Sequence, residues 1–66
     1  MASRANLAVV LRQLGRLEEA EAEQRAVLGA RRRVLGEEHP DTLNSRNNLA
    51  DVLRDLGQFE EAQVLE

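Results

Sequence analysis

"SRANLAVVLRQLGRLEEA", residues 3–20, returns 42 positions later as "SRNNLADVLRDLGQFEEA", residues 45–62. Thirteen of the 18 paired positions are identical, and the pair Leu17/Phe59 is conservative. Self-similarity at a fixed step of this size is the mark of a structural unit used more than once, each copy burying its apolar face against the next. The period of the unit is 42 residues.

Within the unit the apolar spacing is helical. Leu7, Ala8, Val10, Leu11 and Leu14 fall on one broad stripe, as do Leu49, Ala50, Val52, Leu53 and Leu56. Each stripe runs into a glycine, Gly15 or Gly57. Glycine reaches the left-handed backbone that closes a helix, so both are expected to be C-terminal caps. A second helical pattern starts at once, with Leu17, Ala20, Val27, Leu28, Val34 and Leu35 on its stripe. Glu18 and Glu19 in its first turn and Arg31, Arg32 and Arg33 in its last complement the helix dipole, and Gly36 stops it. Gly29 sits inside this helix at a cost of about 1 kcal/mol relative to Ala, which points to close packing or a bend.

The reading is therefore helix A over about 2–14, helix B over about 17–35, helix A again over about 40–56, and a helix B stub over about 59–66. The first unit takes 1–42 and the second, incomplete one 43–66. Turns this short force A and B into antiparallel contact. The predicted fold is all-α: antiparallel helix hairpins of an α-solenoid, about one and a half repeats long.

The one stretch that reads like chemistry is "EEHPD", residues 37–41, with three carboxylates and the only histidine. Pro40 lacks an N–H and suits the first position of a helix, where that donor is unpaired anyway. Asp41 then faces the positive end of the dipole. His39, pushed toward extended backbone by the proline after it, is the boundary residue. A metal site needs further ligands, ordinarily His or Cys, and the chain holds none. The stretch joins two units. The repeated pairs Glu18–Glu19 and Glu60–Glu61 are dipole-complementing surface charge, and Arg31–Arg33 is a helix end rather than an anion patch. No nucleophile triad, phosphate loop or helix-borne metal motif is present. No catalytic residue, metal or cofactor is expected, and the chain is not expected to be an enzyme.

Composition narrows the partners. A net charge of −3 argues against nucleic acid, which demands a basic face, and Phe59 alone makes no stacking platform. No apolar run approaches the roughly 20 residues that cross a bilayer, nothing at the N-terminus reads as a secretory signal, and there is no cysteine. The expected setting is cytoplasmic, away from membranes.

"NLAVVLRQLGRLEEAEA" and "NNLADVLRDLGQFEEA" resemble the tetratricopeptide repeat. That family's packing signature falls here on Leu7, Ala8, Gly15, Leu17 and Ala20, then on Leu49, Ala50, Gly57, Phe59 and Ala62. The usual period is 34, and a period of 42 with "VLGEEHPDTL" between hairpins is similar to the long variant of kinesin light chains and many bacterial arrays. Gln24 departs from the pattern, standing where the family usually has a bulky residue; Glu23 and Ala30 are also leaner than common choices.

The resemblance implies a protein-interaction module, a scaffold that takes a peptide or partner helix in a groove lined by the A helices. The groove residues it implies are Ala5, Asn6, Val9, Arg12 and Gln13 from the first A helix, and Asn47, Asn48, Asp51, Arg54 and Asp55 from the second. An asparagine amide donates and accepts, so Asn6 and Asn48 suit pairing with the backbone of an extended peptide, as matching asparagines do in the family. Arg12 and Arg54 carry the fork that clamps a carboxylate. One and a half repeats fall short of the three that usually bury a continuous core. The alternative is thus a natural or engineered self-assembling fragment whose open ends make a homodimer or larger homo-oligomer by symmetric helix packing.

Overall fold

The computed structural model describes residues 4–65, with side chains from residue 6 onward. Four helices follow in order: α1 (Arg4–Gln13), α2 (Leu17–Leu35), α3 (Pro40–Asp55) and α4 (Phe59–Leu65). No strand occurs among the described residues. Expected helical residues 2, 3 and 66 lie outside the described part. The chain is all-α, and each helix packs against the next in line. Its Cα atoms fill 32 × 29 × 14 Å. The short dimension matches two layers of helices about 10 Å apart, so α1 and α3 form one layer and α2 and α4 the other.

The two tight turns are copies of each other. Gly15 donates to the Arg12 carbonyl at 3.0 Å and Arg16 to that of Leu11 at 2.9 Å. Forty-two residues on, Gly57 donates to Arg54 at 3.0 Å and Gln58 to Leu53 at 2.8 Å. These paired bonds are the Schellman closure, which needs left-handed backbone at the glycine. Gly15 and Gly57 have φ of 80° and 82°. The apolar stripes extend to Leu14 and Leu56, but the helices stop one residue short because the closure has already begun.

Between hairpins, His39 sits on extended backbone (φ −65°, ψ 139°) ahead of Pro40. It does more than mark the boundary: its Nδ1 accepts the Asp41 amide at 3.1 Å, capping α3. Arg31 also departs from the helix-end reading. Its guanidinium donates to the Asp41 carbonyl at 3.0 Å and to Ser45 Oγ at 2.6 Å, fastening α2 to the first turns of α3.

The core lies where hairpins meet. Leu28 of α2, Leu49, Ala50 and Leu53 of α3, and Ala62 of α4 make one buried cluster. Leu11, Ala20 and Val52, drawn from α1, α2 and α3, make the other, with Leu56 against it. Several residues of the predicted stripes are not in it. Leu7 is 45% exposed where its counterpart Leu49 is 1%, and Val10 is 48% exposed where Val52 is 0%. The sequence around each pair is nearly the same; the difference is that α3 packs against both α2 and α4, whereas among the described helices α1 packs chiefly against α2 alone. Leu14 is exposed on the same side. Phe59 is exposed too, although Leu17, its counterpart, is half-buried beside Leu56 of the following repeat. Val34 and Leu35 lie outside the core. Nineteen residues carry α2 across about 28 Å, whereas the described α1 spans about 15 Å, so the last turns of α2 run past it.

Gly29 is not a close-packing site. A Cβ built there meets nothing within 4 Å. No described helix is long and apolar enough to cross a membrane.

Candidate functional site

α1 and α3 lie side by side in one layer, and a pocket of about 300 Å³ opens between them. Val9, Arg12 and Gln13 line it from α1, Asn48 and Asp55 from α3, and Gln24 closes its floor from α2. Helical spacing explains the grouping: positions 9, 12 and 13 share one face of α1, and 48 and 55 lie two turns apart on α3.

Five of the residues assigned to the groove from sequence therefore meet at one place. The others are arranged differently. Asn6 and Asn47 are exposed on the helices that flank the pocket, outside its lining. Asp51 and Arg54 face each other on α3, where the guanidinium donates to the carboxylate at 2.8 Å. The side chain of Ala5 lies outside those described.

Arg12 is not an open clamp. Its Nε donates to Asp55 Oδ2 at 2.6 Å, joining α1 to α3 across the pocket. That hydrogen bond raises the Arg12 guanidinium above its ordinary value, burial opposes the rise, and the charges of Asp55 and then Asp51 add to it. Any stability tied to this shift is fully present below the unfolded value and is lost only as pH rises through the higher folded one. Arg12 stays cationic throughout the ordinary range. A second tie crosses the other layer: Arg25 donates to Glu61 of α4 at 2.5 Å and to Glu21 at 2.8 Å. Both ties are well exposed, so each is worth a few tenths to about 1 kcal/mol and serves mainly to hold register.

Gln24 stands out in the sequence as a departure from the family pattern, but the sequence does not assign it to the groove, where the structure places it. It is 2% exposed, and its Oε1 is buried with no hydrogen-bond partner. The signal was its position: it falls on the buried stripe of α2 between Ala20 and Leu28, where an apolar residue belongs.

No group of three or more His, Cys, Asp or Glu side chains among the described residues is placed to hold a metal ion. The arrangement offers hydrogen bonds and shape.

No curated protein and no solved structure gives a significant match to the chain. A family model described as tetratricopeptide repeat matches residues 1–65, nearly the whole length. With four helices in two hairpins, closed by the same glycine turn and stacked at a 42-residue step, the chain belongs to the tetratricopeptide repeat family.

Proposed function

We propose that the chain is a binding module that takes an extended peptide along the surface formed by α1 and α3. Tetratricopeptide repeats are, as a family, protein–protein interaction modules. The observation that carries the reading for this chain is the pocket between the two A helices, lined by Val9 and by the polar residues Arg12, Gln13, Gln24, Asn48 and Asp55. Asn48 stands on that rim and Asn6 one repeat earlier on the neighbouring helix. Such amides pair with a peptide backbone regardless of its sequence. The arginines contribute indirectly, by holding Asp55 and Asp51 in place.

Panning a random peptide library on the chain and measuring the selected peptide against Asn6→Ala and Asn48→Ala tests this. Each substitution is expected to weaken binding about fivefold to tenfold, the worth of one or two hydrogen bonds, with helicity unchanged. Unchanged affinity in both variants counts against the groove.

One observation favours a second reading. Leu7, Val10 and Leu14 form an apolar face on α1, and the equivalent face of α3 is covered by a helix hairpin. A second copy docking its α3–α4 end there would extend the stack. Light scattering across 5–200 μM is expected to show mass rising with concentration in the parent chain and staying monomeric in Leu7→Glu. A parent that remains a monomer throughout removes this reading.

A further inference from the structure

The hollow beside the first tight turn is lined by Gly15, Arg16, Leu17, Glu18 and Glu19, and by Leu56 of the next hairpin. The hollow beside the second turn is lined by Gly57, Gln58, Phe59, Glu60 and Glu61, the same five positions 42 residues on. Among the described residues, none from another hairpin lines it. The first hollow has a volume of about 400 Å³ and the second about 580 Å³. Phe59 stands there 61% exposed, a large apolar ring left in water. The counterpart of the missing leucine lies elsewhere in the molecule. Leu14 holds the place in the first repeat that Leu56 holds in the second, and it is 67% exposed.

The joint between the two hairpins therefore exists once complete and once as two free halves. Inside the chain, Leu17 sits beside Leu56, Leu11 and Ala20 close on Val52, and Arg12 donates to Asp55 at 2.6 Å. Moved on by 42 residues, the same joint sets Phe59 against Leu14 of a second copy, the α4 turn at Ala62 over its Val10, and Arg54 opposite its Gln13. Val10 is exposed and free to be covered. The apolar contacts are kept, with a larger ring on the leucine. The ionic contact becomes an arginine against a neutral amide, so no like charges meet. Packing two copies by their α1 faces would instead cover Leu7, Val10 and Leu14 and leave Phe59 in water.

We infer that copies of this chain associate head to tail, with Phe59 of one copy seated against Leu14 and Val10 of the next. The inference rests on the second-copy reading above and supplies its contact and its symmetry. Such an interface is heterologous and repeats without closing, unlike the symmetric helix packing expected from the sequence. One hairpin end is small beside the roughly 1,200–2,000 Å² of a stable interface, so the association is of the transient class.

Two variants of the full chain test this, Leu14→Glu at one end and Phe59→Glu at the other, each with its helicity measured because both sites are exposed in the fold. Sedimentation equilibrium up to about 1 mM is expected to show the parent growing beyond a dimer, and each variant alone associating at least about tenfold more weakly. Mixed in equal amounts, the variants are expected to form a complex of twice the 7.4 kDa chain mass and nothing larger, since one intact end remains on each. In that mixture, amide shifts fall at Gly57–Glu61 of Leu14→Glu and at Val10–Leu14 of Phe59→Glu. Association of Phe59→Glu as strong as the parent's overturns the inference and leaves the second-copy reading standing, with α1 packed on α1. A mixture that stays monomeric while the parent associates overturns it as well. A parent that stays monomeric gives the α1 face to an occupant of different sequence, and both readings fall together.

Discussion

Gly29 has helical backbone in the interior of α2 and open space where a Cβ would stand. Nothing in the fold requires glycine there, and glycine loses more backbone entropy on folding than alanine does. Gly29→Ala is therefore expected to stabilise the chain by about 0.5–1 kcal/mol, seen as a higher midpoint in urea with an unchanged slope; a lower midpoint would mean a packing role not visible in the fold. Gly15 and Gly57 are the opposite case, because their φ near 80° belongs to the turn itself. The sequence distinguishes these glycines only by context: two lie at the ends of apolar stripes and one lies within. Gln24 was legible as an anomaly on the stripe, but its pocket was not. The pocket is made by residues from positions 9 to 55, and no local pattern records that meeting. The Arg12–Asp55 pair, 43 residues apart, was hidden for the same reason.

Helices were readable because the period of the apolar residues and the position of glycine and proline are local properties. The start of α3 is the clearest instance. Pro40 at the first position is in the sequence, and the boundary at His39 follows from it. That the imidazole itself is the cap depends on a side-chain rotamer, which composition does not encode. His39→Ala removes the acceptor for the Asp41 amide. The expected loss is about 1 kcal/mol of stability, with His39→Asn close to the parent because asparagine caps well. Thermal unfolding followed by circular dichroism checks this, and equal midpoints for His39, Ala and Asn would show the bond to be idle. The ends of α1 and α3 illustrate the converse. Their apolar stripes run one residue past the last helical turn, where the Schellman closure has already bent the backbone; Leu56 still packs there against the core, whereas Leu14 is exposed.

The molecule as a whole is two similar hairpins in different surroundings. Leu7 and Leu49 sit at the same place in the repeat, each preceded by asparagine and followed by alanine. Periodicity assigns both to the core; only stacking separates them, because α3 packs against α2 on one side and α4 on the other while α1, among the described helices, packs chiefly against α2 alone. This is the physical limit of a repeat read in sequence: it reveals what each unit wants to bury and not what stands beside it. The claim that the hairpins share a core in this order is tested most directly by truncating the two leucines in turn. Urea denaturation at low micromolar concentration is expected to give a loss of about 2–4 kcal/mol for Leu49→Ala and under about 1 kcal/mol for Leu7→Ala. Equal losses, or a larger one at Leu7, would contradict the stacking of α2 between α1 and α3.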